Sequence, residues 1–191
     1  LQAMLDFEKA LAAAGSKCNI FEPAIADAIT RCCQISKFSI PDLSELASQH
    51  GTIVVPLVQH LTKLVAVKDK PASGWVHYGA TSQDVIDTAI IIQLKKALVI
   101  LEGDVQRLVS ALENLINKYG NQIMIGRTLL QPSVPITFGQ KVLGWKSALL
   151  RNWKRIEINA TEASVLQFGG AAGNLSSLGP DGQRVRESLS E

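Results

Sequence analysis

One helix of this protein starts within the segment Trp75-Val76-His77-Tyr78-Gly79-Ala80-Thr81-Ser82-Gln83-Asp84 and continues, with no helix breaker, through Val85-Ile86-Asp87-Thr88-Ala89. Ser, Thr and Asp side chains commonly accept hydrogen bonds from the free N–H groups of a first helical turn. Thr81, Ser82 and Asp84 therefore predict a helix start here. Because a helix start carries unpaired N–H donors and partial positive charge, it can also bind a carboxylate.

The polar side chains at this helix start allow two interpretations. In the simpler one, Thr81 and Ser82 only cap the helix, and His77 is a loop histidine with a partner inside the protein. In the other, these side chains and Gln83 surround an anion-binding helix end. The local residues leave both interpretations open.

Apolar residues recur after this start at alternating spacings of three and four: Ile91, Leu94, Leu98, Leu101, Val105, Leu108, Leu112 and Leu115. Such a seam is typical of a bundle helix, and it predicts a helix from Gln83 to about Tyr119, roughly 55 Å long. A second seam runs through Phe138, Val142, Trp145, Leu149, Trp153, Ile156, Ala160 and Ala163. It predicts another long helix, antiparallel to the first, and both helices need packing partners.

Shorter packing helices are predicted before this segment. Residues 1–14 have a helical pattern that Gly15 is expected to end. Pro23 and Pro41 each suit a first helical turn, and a further helix is expected from about Val55.

The polar, turn-rich residues 68–74 are the expected domain boundary. The predicted fold class is therefore all-α. A small N-terminal helical domain is expected at 1–73, and the first part of a helix-bundle domain at 74–191.

Composition argues against several kinds of partner. The 19 basic and 17 acidic residues are scattered, so no nucleic-acid surface is expected. The longest apolar run, 85–94, is well short of the roughly 20 residues of a membrane span, and no membrane partner is expected. Cys18, Cys32 and Cys33 form no C-x-x-C pair, which favours reduced core thiols and a cytoplasmic setting. The histidines are not spaced to form a metal site, and none is expected.

Two further segments are predicted to be loops. Residues 126–139 contain two glycines and two prolines between the long helices, and residues 167–179 are rich in glycine. The second of these lacks a G-K-[ST] sequence and a preceding strand, so it is not a phosphate-binding loop.

Three segments taken together resemble the fumarase/aspartase superfamily: 75–89, Gly126-Arg127-Thr128-Leu129-Leu130-Gln131, and Gln167-Phe168-Gly169-Gly170-Ala171. The resemblance runs along essentially the whole chain. Within the superfamily, the segments are most similar to those of the bacterial carboxymuconate cycloisomerases, with the adenylosuccinate lyases next.

The resemblance implies an all-α homotetramer whose active sites combine loops of three subunits. It also implies an enzyme that acts on a small polycarboxylate through an aci-carboxylate intermediate, without a cofactor. In the lactonising branch, a carboxylate of the substrate itself adds and closes a γ-lactone. By position, the implied substrate-binding residues are His77, Thr81, Ser82, Gln83, Thr128 and Gln131.

The chain departs from the superfamily pattern in two ways. Leu129 stands where adenylosuccinate lyases have a histidine that acts as general acid, and leucine cannot transfer a proton. The serine loop that carries the superfamily's catalytic base does not occur in residues 1–191. We therefore expect this chain to be an incomplete enzyme that is inactive alone, with its base serine beyond residue 191. An adenylosuccinate lyase-type enzyme and a non-catalytic helical assembly protein are the alternatives.

Overall fold

The computed structural model describes residues 1–191, which divide into two compact units. The first comprises Leu1–Gln93 and Val165–Glu191, and the second comprises Leu94–Ser164. Eight α-helices and two short strands make up the regular structure, so the predicted all-α class is confirmed. The predicted division of the protein at residues 73 and 74 stays a prediction. None of the helices combines the length and apolar character that crossing a membrane requires.

Five helices open the first unit: α1 (Gln2–Lys17), α2 (Pro23–Cys32), α3 (Ile40–His50), α4 (Val54–Lys68) and the single turn α5 (Lys70–Ser73). A 3-10 turn, Ile35–Lys37, lies between α2 and α3. Prolines lie in the first turns of α2 and α3, where a missing N–H costs little. The helices predicted at Pro23, Pro41 and Val55 are thus confirmed.

Two boundaries in this region differ from the prediction. α1 continues through Gly15 to Lys17, and a Cβ at Gly15 would lie only 2.6 Å from the ring of Phe21. This glycine therefore permits close packing and does not end the helix. The polar segment 68–74 contains α5, whose start is capped by Asp69 through a 3.0 Å hydrogen bond from the Ala72 amide.

The first unit has two apolar clusters, and α1 contributes to both. One joins α1 to α2, α3 and α4 through residues such as Leu5, Ile29, Leu43, Leu57 and Leu61. The other joins α1 to the start of the long helix and to the segment after residue 165, through Phe7, Leu11, Val85, Phe168, Leu178 and Val185. The second cluster brings segments distant in sequence to the helix start.

The three cysteines are buried and unpaired, as predicted. Burial, reinforced by the nearby Glu8 carboxylate, raises the pKa of the Cys33 thiol to about 12. This thiol is therefore neutral at physiological pH.

The predicted long helices are α6 (Ser82–Tyr119) and α7 (Phe138–Glu162), and the chain ends with α8 (Gly182–Ser190). Within the second unit, Lys146 Nζ lies 2.6 Å from Glu113 Oε1, and the Gly139 amide donates to the Gly120 carbonyl at 3.0 Å. Late residues of one helix thus face early residues of the other. This part of α6 and α7 is antiparallel, as predicted.

The segment predicted as a loop at 126–139 forms most of a β-hairpin. Its strands are β1 (Ile123–Thr128) and β2 (Gln131–Thr137), which pair antiparallel. The loop was predicted from the glycines and prolines of this segment. That prediction was wrong, because the β-branched residues between them favour strands. Prolines are tolerated in this two-stranded sheet because every strand has a free edge.

Much of the apolar surface of the long helices is exposed in the second unit. The residues include Val99, Ile100, Leu101, Leu108, Leu143, Trp145, Leu150, Ile156 and Ile158. A groove of about 490 Å³ between α6 and α7 is lined by Leu94, Leu98, Ile156, Ala160 and Ala163, among others. The apolar seams that predicted these helices are thus only partly covered in the single chain, and further apolar residues beside them are exposed.

Candidate functional site

The start of α6 is capped by a carboxylate and not by a hydroxyl. The Thr81 amide donates to Asp84 Oδ2 at 3.0 Å, which is one half of a capping box. The Thr81 and Ser82 hydroxyls make no hydrogen bond within the chain, although both residues are partly buried. The predicted capping role of these two hydroxyls is therefore wrong. Both hydroxyls lack a partner within the chain and are therefore free to bind a ligand.

Asp84 also binds the third polar segment. Its carboxylate, fully buried, accepts hydrogen bonds from the amides of Gly169 and Gly170, both at 2.9 Å, and from Gln167 Nε2 at 3.4 Å. Such charge-assisted bonds are stronger than neutral ones. A single side chain thus joins the helix start to a segment about 85 residues later. The local sequence predicts Asp84 only as a cap, since nothing in the local pattern indicates this distant partner.

Thr88, one turn further along α6, reinforces the same contact. Its hydroxyl accepts from the Gln167 amide at 3.2 Å and donates to the Gln167 carbonyl at 3.1 Å. Asp84 and Thr88 together hold residues 167–170 against the first turns of the helix.

Two glycines permit the close approach of these segments. Gly79 has φ +80°, and a Cβ there would lie 2.6 Å from the Leu178 side chain. Gly170 has φ +68°, and a Cβ there would lie 2.8 Å from the Gly79 carbonyl oxygen. Any larger residue would meet both backbone strain and a clash.

His77 has an internal partner at only one of its nitrogens. Nδ1 lies 2.6 Å from Oε1 of Glu8 on α1, whereas Nε2 makes no hydrogen bond within the chain. The simpler interpretation of His77 is therefore confirmed for Nδ1, and Nε2 remains able to contact a ligand. Gln83 is exposed, and its Nε2 donates to Asp87 Oδ1 at 2.6 Å along the helix surface.

Thr128 and Gln131 belong to the second unit, where they are paired across the β-hairpin. Between them, Leu129 and Leu130 form the turn with φ +45° and +64°, and they are 93% and 91% exposed. Leucine adopts such angles only at a cost in conformational energy. The hairpin tip therefore presents two polar side chains beside a strained and exposed apolar turn.

The helix start supplies the donors that an anion requires. The Ser82 and Gln83 amides have no acceptor within the chain, and the neighbouring hydroxyls are unused. Free amides at a helix start, hydroxyl donors and the positive end of the helix dipole all favour a bound carboxylate. The geometry of the first unit is thus compatible with a carboxylate held by Thr81 and Ser82.

Asp84→Asn should lower the free energy of unfolding by about 2–4 kcal/mol, because an amide in this position turns an NH₂ group towards backbone donors. Asp87→Asn is the matched control on the same helix, and it should change stability by less than about 0.5 kcal/mol. Urea unfolding of both variants tests this, and equal effects would contradict the role given to Asp84.

Gly170→Ala and Gly173→Ala separate backbone strain from the clash. Both glycines have positive φ, but a Cβ at Gly173 meets nothing within 4 Å. We expect a cost of about 1–2 kcal/mol for Gly173→Ala from strain alone. Gly170→Ala should cost roughly 1–3 kcal/mol more because of the clash with the Gly79 carbonyl. Equal midpoints in thermal unfolding would show that the close approach is unimportant.

Comparison with known proteins identifies relatives along the full chain. The profile of a family described as lyase matches residues 1–191. A 3-carboxy-cis,cis-muconate cycloisomerase of Bradyrhizobium diazoefficiens is 40% identical over 191 residues, which are 100% of this chain and 42% of that protein. An adenylosuccinate lyase of Methanothermobacter thermautotrophicus is 29% identical over 191 residues, again covering 100% of this chain and 42% of the relative.

Comparison with solved structures agrees with the comparison of sequences. A crystal structure of the 3-carboxy-cis,cis-muconate lactonizing enzyme from Pseudomonas putida superimposes with a TM-score of 0.96 at 38% identity. The match covers 99% of this chain and 43% of that one, so the chain spans less than half the length of these relatives. This chain belongs to the lyase family, as its resemblance to the fumarase/aspartase superfamily predicted.

Proposed function

We propose that residues 1–191 form part of a cycloisomerase that interconverts 3-carboxy-cis,cis-muconate and a carboxymuconolactone. The observation that carries the proposal is the start of α6, where the Thr81 and Ser82 hydroxyls and the Ser82 and Gln83 amides have no partner within the chain. The names of the relatives support the choice of substrate, because both cycloisomerases match this chain over at least 99% of its length.

In this proposal, the helix start binds one carboxylate of the substrate. The Thr81 and Ser82 hydroxyls and the free amides of Ser82 and Gln83 donate hydrogen bonds to its oxygens. A carboxylate oxygen elsewhere in the same substrate adds to a carbon–carbon double bond, and a proton is added to the carbon alpha to the bound carboxylate. The aci-carboxylate formed on this path carries extra negative charge, which the same donors stabilise. No cofactor is required for this isomerisation.

The remaining predicted site residues receive supporting roles. His77 Nε2 is proposed to contact the substrate from the loop before α6, and Gln83 from the helix surface after a rotation away from Asp87. Thr128 and Gln131 are proposed to contact substrate from the hairpin tip. Leu129 cannot act as the proton donor, and the catalytic base is proposed to be a serine outside residues 1–191.

We further propose a homotetramer that works in the cytoplasm and has its domains divided at residues 73 and 74. The exposed apolar residues of α6 and α7 support the assembly, since contiguous apolar surface of this kind marks interaction sites. The three free, buried cysteines agree with a reducing compartment.

Two alternative functions can be distinguished from this one by experiment. An adenylosuccinate lyase-type reaction is favoured by the relative at 29% identity, but Leu129 occupies the position of the general-acid histidine. A non-catalytic assembly protein is favoured by the exposed apolar surface alone.

Purified residues 1–191 should show no turnover of 3-carboxy-cis,cis-muconate, because no catalytic base is assigned within them. A protein that carries this sequence at the full length of the relatives should consume this substrate and leave adenylosuccinate unchanged, as followed by ultraviolet absorbance. Lactonisation by residues 1–191 would contradict the assignment of the base. Release of fumarate by the longer protein would favour the lyase alternative, and inactivity on both substrates would favour the assembly protein.

Ser82→Ala should lower kcat/KM of the longer protein by an amount equivalent to about 1–3 kcal/mol, the scale of a lost hydrogen bond to a charged group. Stability should be unchanged, because the hydroxyl makes no hydrogen bond within the chain. Ser48→Ala, at an exposed serine on α3, is the control for the same atom deletion. Unchanged kinetics together with lowered stability would restore a purely structural role for Ser82.

A further inference from the structure

We propose that Glu8 is a positioning residue, which holds the imidazole of His77 so that Nε2 faces an anionic substrate. The inference rests on the proposed function and deepens it, since it gives a role in the site to a residue on α1. Sequence patterns did not indicate Glu8, because it lies 69 residues before its partner.

The contact between the two side chains is short and enclosed. Glu8 Oε1 lies 2.6 Å from His77 Nδ1, and the side chains of Glu8 and His77 are 0% and 17% exposed. Glu8 is flanked on α1 by Phe7 and Leu11, which pack in the second apolar cluster. A fully buried carboxylate in apolar surroundings requires compensation, and here His77 supplies its single hydrogen bond.

The second carboxylate oxygen has no partner. Glu8 Oε2 is buried and makes no hydrogen bond. A half-satisfied buried carboxylate is a costly way to attach a loop to α1, which already has an extensive apolar contact surface. The position of the Glu8 carboxyl group is therefore better explained by its contact with the imidazole than by stabilisation of the fold.

The backbone of His77 is also constrained. Its φ is +61°, a left-handed value that is unfavourable for a residue with a Cβ. The His77 carbonyl accepts from the Ala80 amide at 3.2 Å, which keeps the turn just before α6. Strained residues of this kind persist where the surrounding structure holds them, and they are frequent at functional sites.

These contacts determine which ring nitrogen is available. An ionised carboxylate can only accept, so its partner Nδ1 carries the hydrogen and Nε2 is the nitrogen left for a ligand. Burial and the Glu8 carboxylate raise the pKa of the nearby Cys33 thiol to about 12, so this thiol adds no charge near Glu8 at neutral pH. Carboxylate–imidazole pairs fix the ring orientation and tautomer in the same way at metal sites. His77 belongs to the loop that leads into α6, and the proposed carboxylate site is at the start of that helix.

Nuclear magnetic resonance of residues 1–191 tests the orientation without any activity. Long-range ¹H–¹⁵N spectra report which imidazole nitrogen carries a hydrogen, and His77→Asn identifies the His77 signals among those of the three histidines. We expect Nδ1 of His77 to be protonated, and the ring signals to change in Glu8→Gln. Glu45→Gln, which removes the same charge at an exposed position on α3, should change nothing at His77. An unprotonated Nδ1, or a spectrum insensitive to Glu8→Gln, would overturn the proposal.

A double-mutant cycle in the protein at the full length of the relatives tests the function. Glu8→Gln should lower kcat/KM on 3-carboxy-cis,cis-muconate about tenfold, and it should have no further effect once His77→Asn is present, because coupled residues are not additive. Effects that multiply would overturn the positioning role. If circular dichroism shows that the Glu8→Gln variant does not fold, Glu8→Asp is used in its place. The shorter side chain keeps the carboxylate but loses the contact with His77. An inactive wild-type protein would refute the proposed function, whereas the spectra would still decide the Glu8–His77 contact.

Discussion

The buried carboxylate of Asp84 organises the first unit around the start of α6. Its two oxygens accept from the amides of Thr81, Gly169 and Gly170, so one ionised group satisfies backbone donors on two segments. A buried charge is costly unless donors surround it, and here the glycines let the backbone donors approach closely. Removing either the charge or the close approach is expected to weaken the contact between the two segments.

The start of α6 also has polar groups that the fold does not use. A hydroxyl that caps a helix has its acceptor oxygen occupied, whereas the hydroxyls of Thr81 and Ser82 have no partner in the chain. Binding groups are therefore available at the positive end of the helix. The constrained imidazole of His77, held by Glu8, lies on the segment that leads into that end.

The second unit differs from the first in how much of its apolar surface is exposed. Its helices have only partly covered apolar seams with exposed apolar residues beside them, and its hairpin ends in a strained turn of two exposed leucines. Helices of this length gain most of their stability from packing against neighbours, and exposed apolar faces of this kind mark interaction surfaces.

Periodicity, together with the prolines and capping residues at helix starts, predicted α6, α7 and most of the shorter helices, because a helix places every third or fourth residue on one face and the apolar pattern records which face is buried. The combination of the segments at 75–89, 126–131 and 167–171 likewise identified the family. The hairpin was missed because proline and glycine dominate local interpretation, whereas strand pairing depends on a partner elsewhere in the chain. For the same reason, the tertiary structure alone joined Asp84 to Gly169 and Gly170 and brought Glu8 to His77. Hydrogen bonds between residues 69 to 86 positions apart leave no local periodic pattern in the sequence, and only the packed chain brings the two groups within reach.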